Sequence, residues 1–124
     1  MDERVREALT RGGVIDITTT GRRSGQARRI EIVFHAIDGR VYVSGFPRPR
    51  KRRWLANLEA NPRFSFHLKG EVKADLPAVA RPINDPAERR EVLAKVAESW
   101  QREGLDLEEM VRMSPLVEVT FEDA

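Results

Sequence analysis

The chain has no cysteine among its 124 residues, which excludes disulfides, cysteine nucleophiles and thiolate metal sites. Only two histidines are present, too few for a self-sufficient histidine metal site, and we predict no bound metal. No run approaches the roughly 18 apolar residues of a membrane span, and the charged N-terminus leads into no apolar signal segment. We therefore expect a protein without an integral membrane segment, located in the reducing cytoplasm.

The length and composition are those of one globular domain covering residues 1–124. Hydrophobic residues make up 40% of the chain and charged residues 34%, which argues against long disorder. A chain of this size can bury one hydrophobic core without a disulfide or metal to hold it together.

Positive charge is concentrated in the middle of the chain, although the net charge is only +2. Residues 21–73 contain thirteen Lys and Arg against four Asp and Glu, whereas residues 74–124 contain six against twelve. This asymmetry suggests an anionic partner for the middle segment: nucleic acid, a phosphorylated cofactor, or the protein's own acidic segment. A solvated surface balanced by that acidic segment is the plainer alternative.

Alternating apolar residues and turn signals predict six short strands, over residues 14–20, 28–36, 40–44, 64–68, 72–76 and 117–121. Apolar residues at helical spacing predict helices over residues 2–11 and 51–60 and two more after Asp85 and Asp106, the first of these ending at Gly104. Asp38-Gly39 is a strong hairpin signal. Short strands with hairpin-length gaps favour an antiparallel barrel, which leaves no exposed edges. The predicted class is α+β, mainly antiparallel, built on a small closed or split β-barrel with a few flanking helices.

The first candidate site is a turn between two predicted strands, Gly21-Arg22-Arg23-Ser24-Gly25, followed by Arg28. Glycines that bracket a turn let backbone N–H groups point at an anion, and arginines add paired donors for phosphate. The turn is not a P-loop, because the Lys-Ser/Thr end and the following helix are missing. It is either an anion site or an ordinary hairpin with solvated arginines.

The second candidate site comprises Arg48, Arg50, Lys51, Arg52 and Arg53, which lead into Trp54. So many cations in six positions repel one another unless an anion is near, and cations are unfavourable at the start of a helix. Trp54 at helical spacing from Leu58 indicates a core side chain more than a ligand contact. A nucleic-acid surface is the least favoured alternative, because the aromatic residues form no evident stacking platform.

No catalytic acid, base or nucleophile stands out in the sequence. His35 and His67 are out of phase with the apolar residues of their strands, so we expect both at the surface or in the barrel lumen. No Ser-His-Asp grouping or spaced carboxylate pair is evident. If the protein is an enzyme, a cofactor supplies the reactive atom.

Residues 18–25 with Arg28 resemble the Thr-Thr-Gly-Arg-Lys-Ser-Gly-x-x-Arg segment of the deazaflavin-dependent nitroreductase family, a group of flavin/deazaflavin oxidoreductases with a split β-barrel fold. Val43-Ser44 stands where that family has a strand that ends in Ser. Pro49 and Trp54 have the family's Pro-x-x-x-x-Trp spacing, and residues 57–62 resemble its Asn-Leu-x-Ala-Asn-Pro. The resemblance runs over residues 15–70 and recurs at residues 115–121.

The resemblance implies a six-stranded split barrel that binds coenzyme F-420, a 5-deazaflavin with a phosphate and a polyglutamate tail. It implies hydride transfer between the deazaflavin C5 and a small electron-poor or unsaturated acceptor of the nitro, quinone or enone type. It places the phosphate at Arg22, Arg23, Ser24, Gly25 and Arg28. The ring is expected near Ser44, Gly45 and Phe46, and the tail at Arg50, Lys51 and Arg52. Trp54 is included among the cofactor-binding residues. The polyanionic cofactor agrees with the positive middle segment, and split barrels of this kind commonly pair, so a homodimer is a further expectation.

Two positions depart from the family pattern. Gly45-Phe46-Pro47 replaces Asn/Lys-Gly-Gly, so Phe46 either stacks on the ring or fills the ring site, and Leu55 replaces an aromatic residue. The alternatives to an F-420-dependent reductase are therefore an FMN-dependent split-barrel oxidoreductase and a non-catalytic protein that binds or sequesters the cofactor.

Overall fold

A computed structural model describes residues 1–100 and 104–122. In chain order the elements are α1 (Glu3–Ala8), β1 (Gly13–Thr20), β2 (Ala27–Ile37), β3 (Arg40–Ser44), α2 (Arg53–Ala60), β4 (Arg63–Lys69), β5 (Lys73–Pro82), α3 (Pro86–Trp100), α4 (Leu107–Met113) and β6 (Leu116–Phe121). The predicted end of the third helix at Gly104 cannot be compared in full, because residues 101–103 lie outside the described residues. No helix in the described ranges is long and apolar enough to cross a membrane.

The six strands close into a barrel in the order β1-β2-β3-β6-β5-β4, and every pairing is antiparallel. This confirms the predicted α+β class and the six-stranded barrel. The β2–β3 hairpin turns at Asp38 and Gly39, whose φ angles of 52° and 77° are those of a type I′ turn. Closure pairs the edges that six short strands would otherwise expose.

The barrel interior holds one apolar cluster, built from the inward-facing residues of each strand. Phe66 is fully buried at its centre and meets Phe34 edge to face at 5.3 Å and Phe121 at 5.1 Å. Val5 and Leu9, from α1 and the residue after it, join the same cluster, as do Trp54 and Leu58 of α2. The helices at the barrel ends therefore complete the core, because the strands alone cannot cover it.

A second apolar cluster lies outside the barrel, where α3 and α4 cover β3 and β6. Its members include Tyr42 on β3, Leu93 and Val96 on α3, Met110 on α4 and Leu116 on β6. Asp85 accepts a hydrogen bond from the Glu88 amide at 2.9 Å, and Asp106 accepts one from the Glu108 amide at 2.9 Å, so both predicted helix starts are confirmed.

Several boundaries differ from the predicted ones. The fifth strand begins at Lys73 and continues to Pro82, because residues 78–82 pair with β6. The proline and alanines of this stretch do not show the alternation of apolar and polar residues by which a strand is predicted. The first helix is shorter, Glu3–Ala8, and α2 begins at Arg53 and not at residue 51.

The two histidines are buried, which corrects the expectation of surface or lumen positions. They do lie out of phase with the core residues, but neighbouring side chains cover them: His35 is 3% exposed and His67 7%. The Trp100 ring of α3 stands edge-on to the His35 ring, with 5.1 Å between the ring centres. His67 lies within hydrogen-bond distance of Thr18 on β1 and of Asp75 on β5. The sequence pattern indicates the face of a strand and not what packs against it.

Candidate cofactor site

The turn between β1 and β2, residues 21–25, is held in one conformation by its own hydrogen bonds and is called the anion loop below. The Gly21 amide donates to the Gln26 carbonyl at 2.8 Å, and the Gly25 amide donates to the Gly21 carbonyl at 2.9 Å. Gly25 has a φ of +70°, which favours glycine. A Cβ at Gly21 would lie 2.6 Å from the Ser24 hydroxyl oxygen and 3.3 Å from the Gln26 carbonyl oxygen, so a larger residue here would displace the Ser24 hydroxyl.

The anion loop is tied to α2 by the amide side chain of Asn57. Its Oδ1 accepts from the backbone N–H of Arg22 at 3.1 Å, and its Nδ2 donates to the Thr19 hydroxyl at 3.1 Å. Asn57 is 5% exposed and Thr19 2%, so the bond between them is shielded from water. The Asn57 side chain therefore fixes the distance between the loop arginines and the start of α2.

A cavity of about 480 Å³ lies between the anion loop and the start of α2, and we call it the basic cavity. Its lining residues are Gly21, Arg22, Arg23, Ser24, Arg28, Arg50, Lys51, Arg53 and Asn57. Six of these nine carry a positive charge, and no carboxylate lines the cavity among the described residues. Lys51 is the one lining cation with a described ion-pair partner, Glu59, at 2.8 Å.

The first turn of α2 adds to the positive potential of this region. Arg52 is its N-cap residue and makes no side-chain cap hydrogen bond, so the first N–H groups of the helix have no cap acceptor. A helix N-terminus favours an anion, and Arg53 in its first turn lines the basic cavity. The unfavourable placement of cations at a helix start, noted from the sequence, is thus explained if an anion binds here.

A second cavity, of about 530 Å³, adjoins the first and is lined by residues 48–52 together with α4 residues and the start of α3. We call it the α4-side cavity. Arg50 and Lys51 line both cavities, so the two form neighbouring parts of one cationic surface. In the α4-side cavity, burial and the nearby charge of Arg48 lower the pKa of Arg52 from its usual range.

The structure brings most of the predicted site residues together. Arg22, Arg23, Ser24, Arg28, Arg50 and Lys51 share the basic cavity, and Gly25 shapes the turn beside it. Arg53 of the second candidate site also lines this cavity, as does Asn57, which was not predicted as a site residue. The signal that could have identified Asn57 was its place in the Asn-Leu-x-Ala-Asn-Pro resemblance.

The other predicted residues occupy different surroundings. Ser44 is 2% exposed, and its hydroxyl donates to the Pro115 carbonyl at 2.6 Å. Arg52 turns away from the basic cavity, lines the α4-side cavity and donates to the Phe46 carbonyl. A Cβ at Gly45 would lie 3.2 Å from both Arg52 Nη2 and Pro115 Cγ. Gly45, Arg52 and Pro115 therefore pack closely behind the end of β3.

The two aromatic residues of the predicted site contact the protein itself. Trp54 is 8% exposed and packs into the barrel cluster. The ring of Phe46 lies 4.7 Å from the ring of Trp100 on α3, inclined at 41°. Trp54 therefore supports α2 from within the core, whereas Phe46 lies where β3 meets α3.

A closed six-stranded antiparallel barrel with flanking helices defines a protein of split-barrel fold. Three solved structures agree on the fold. A conserved hypothetical protein, Rv2991 from Mycobacterium tuberculosis, superposes with a TM-score of 0.76 at 20% identity, covering 98% of this chain and 81% of that one. A structure titled F420-H2 dependent reductase (FDR-A) gives 0.61 at 22% identity, with 86% and 93% covered.

The third structure is that of a protein from Listeria innocua described as a pyridoxamine 5'-phosphate oxidase, with a TM-score of 0.64 at 10% identity, covering 96% of this chain and 89% of that one. The family itself is established by a family model, F420H(2)-dependent quinone reductase, which matches residues 2–104. The chain belongs to this family. It is an F-420-dependent reductase, and coenzyme F-420 is its cofactor.

Proposed function

We propose that the protein reduces a small quinone-type acceptor, with the phosphate of F-420 in the basic cavity. The observation that carries the placement is the convergence of six cationic side chains and a helix N-terminus on a cavity that no described carboxylate lines. A cavity lined by charges of one sign attracts anions and raises their local concentration. A phosphodiester accepts paired hydrogen bonds from arginine, so Arg22, Arg23 and Arg28 suit it by geometry as well as by charge.

The rest of the cofactor is proposed to follow the shared cationic surface. Arg50 and Lys51 line both cavities, so the tail carboxylates would lie over residues 48–52. The deazaflavin ring would lie near Gly45 and Phe46, with Ser44 supporting the strand end from behind through its bond to Pro115. When bound, the deazaflavin supplies the hydride, and the protein's own residues bind and orient it.

A quinone is the favoured acceptor because the family that matches the chain is described by quinone reduction. Nitro compounds and enones share the electron-poor character that hydride acceptance requires and are the acceptors to compare. A homodimer and a cytoplasmic location remain predictions.

The test is a fluorescence titration of the purified protein with F-420 and, in parallel, with FMN. We expect F-420 to bind, and the double variant Arg22→Ala/Arg23→Ala to raise its Kd at least tenfold, since each charged hydrogen bond contributes roughly 1.5–3 kcal/mol. Arg4→Ala is the matched control, because Arg4 is an exposed arginine on α1 outside both cavities. An unchanged Kd in the double variant would sink the assignment of the anion loop.

Turnover is followed separately, as oxidation of reduced F-420 on addition of a simple benzoquinone, a nitroaromatic or an enone. Faster oxidation with the quinone supports the proposed acceptor class, and preference for one of the others corrects it. Tight binding of F-420 without turnover with any acceptor favours the cofactor-sequestering alternative. Binding of FMN alone favours the flavin alternative and would overturn the F-420 placement.

A further inference from the structure

Three side chains on neighbouring strands form a continuous hydrogen-bonded chain on the outer face of the barrel. The Thr18 hydroxyl lies 2.7 Å from His67 Nε2, and His67 Nδ1 lies 2.6 Å from Asp75 Oδ1. Thr18 is on β1, His67 on β4 and Asp75 on β5, and these strands are adjacent in the barrel. The register pairs His67 with Asp75 on one side and with Asp16 on the other, so Thr18 lies two residues along β1 on the same face.

The order of these groups sets the tautomer of the imidazole. An ionised carboxylate only accepts hydrogen bonds, so Asp75 requires the proton of neutral His67 to be on Nδ1. Nε2 is then a lone-pair acceptor, and the Thr18 hydroxyl donates to it. This is the arrangement in which a histidine acts as general base toward a hydroxyl nucleophile and a carboxylate orients it.

The Thr18 hydroxyl lines a cavity, whereas the His67 imidazole is buried. Thr18 is half-buried and lines a cavity of about 440 Å³, together with Ser65 and Pro77 among others. Gly25 of the anion loop also lines this cavity. His67 is 7% exposed, whereas the Asp75 side chain is 80% exposed. A small acyl group that enters this cavity would therefore meet the hydroxyl and not the imidazole.

We propose that Thr18 is an acylation site, activated by His67 and Asp75, that accepts the acyl group of small activated esters. The Thr18 oxygen attacks the carbonyl carbon, and the bond from that carbon to the leaving oxygen breaks. The hydroxyl proton passes to His67 Nε2 and then to the leaving group, so nothing is oxidised or reduced. A water molecule then attacks the acyl carbon and gives its proton to His67 Nε2, and the bond from that carbon to the Thr18 oxygen breaks. His67 returns the proton to the Thr18 oxygen, so a free carboxylic acid and the original hydroxyl result. The redox site shares none of these three side chains.

The experiment uses p-nitrophenyl acetate on the whole protein, with release of p-nitrophenol followed by absorbance and the acetyl group located by peptide mass spectrometry. We expect acetylation at Thr18, none there in Thr18→Val, and at least a tenfold slower rate in His67→Gln. Thr18→Ser should keep the reaction at the same position. Thr18→Val preserves shape, so it should also bind F-420 as the unaltered protein does, which checks its folding.

Asp75→Asn gives an independent test that does not risk the fold, because Asp75 is exposed. Its loss of the orienting carboxylate should slow Thr18 acetylation severalfold. The proposal is overturned if acetyl groups appear only on lysines and the N-terminus, or if Thr18 is acetylated equally fast in the unaltered protein and in His67→Gln. Either result would leave the three side chains as a structural link between strands.

Discussion

The Oδ1 atom of Asn57 accepts a hydrogen bond from the backbone N–H of Arg22, at 3.1 Å, across the boundary between α2 and the anion loop. The same side chain donates to the Thr19 hydroxyl on β1. One buried amide therefore couples three parts of the basic cavity: the end of β1, the loop that follows it and the helix that faces it. The coupling matters because, without this anchor, repulsion among the loop arginines would favour conformations in which they move apart.

We expect Asn57→Ala to weaken both the fold and the cofactor site. The substitution leaves the Arg22 N–H and the Thr19 hydroxyl without their partner, which costs roughly 2 kcal/mol of unfolding free energy. The Kd for F-420 should rise about tenfold, because the loop arginines lose their fixed position. Urea unfolding and fluorescence titration measure the two effects. Asn61→Ala is the control: Asn61 follows α2 and lies outside the basic cavity.

Burial lowers the pKa of His35 to about 4 from its ordinary value of 6.5, because the charged imidazole would lose its hydration beneath α3. The unfolded chain therefore binds the proton more readily than the folded chain between these values. Stability from this group is complete above about pH 6.5 and is lost as the pH falls toward 4. Between pH 7.5 and pH 5 the loss amounts to about 2 kcal/mol.

The check is urea unfolding at pH 7.5 and pH 5 for the unaltered protein and for His35→Gln, which cannot titrate. We expect the stability of the unaltered protein to fall more steeply with acid than that of the variant, by about the amount above. Parallel pH dependences in the two proteins would show that His35 is not the buried neutral group that the structure describes.

Much of the fold was accessible from the sequence, for reasons that particular residues make clear. Ile15 and Ile17 alternate with polar residues because one face of β1 points into the barrel. Asp38-Gly39 marks the turn between β2 and β3, because that turn needs positive φ angles that few residues tolerate. The second half of β5 was not predicted, because Pro77 and the alanines after it are not typical strand residues. Residues 78–82 nevertheless pair with β6. Local pattern is therefore reliable where burial alternates and fails where pairing depends on a distant strand.

The cationic half of the site was also predictable, since Arg22, Arg23 and Arg28 are close in sequence and their turn is local. The link between Thr18, His67 and Asp75 was not: it joins residues 49 and 8 positions apart and depends on the register of three strands. The same holds for Asn57, whose partners lie 35 and 38 positions away. Tertiary pairing, and not residue type, creates these contacts.

Phe46 separates the two interpretations of the ring site. If it stacks beside the deazaflavin, Phe46→Ala should raise the Kd for F-420 about fivefold, since an aromatic pair contributes roughly 1 kcal/mol beyond its buried area. If it fills the ring site, the same change should leave the Kd unchanged or lower it. We expect the first result, because the contact with Trp100 holds the Phe46 ring against α3. Phe46→Leu, which keeps bulk without an aromatic face, should resemble the alanine variant.

Arg89 lies in the wall of the α4-side cavity. Its guanidinium donates to four backbone carbonyls, those of Ile83 at 2.9 Å, Met110 at 3.3 Å, Val111 at 2.8 Å and Ser114 at 2.6 Å. Burial lowers its pKa from the usual range, yet no described carboxylate pairs with it. The charge is instead balanced by carbonyl dipoles, three of them from the C-terminal end of α4 and the cap residue that follows it, where a cation is favourable.

Arg89→Met should therefore lower the unfolding free energy by roughly 3 kcal/mol, because the variant leaves several carbonyls without their donor while retaining much of the apolar stem. Arg89→Lys should recover only part of this loss, since one ammonium group cannot reach four carbonyls in the geometry of a planar fork. Because Ser44 donates to Pro115, next to the Arg89-bound Ser114, the methionine variant should also bind F-420 more weakly. Urea unfolding of both variants, with F-420 titration under folding conditions, would contradict this account if lysine restored full stability.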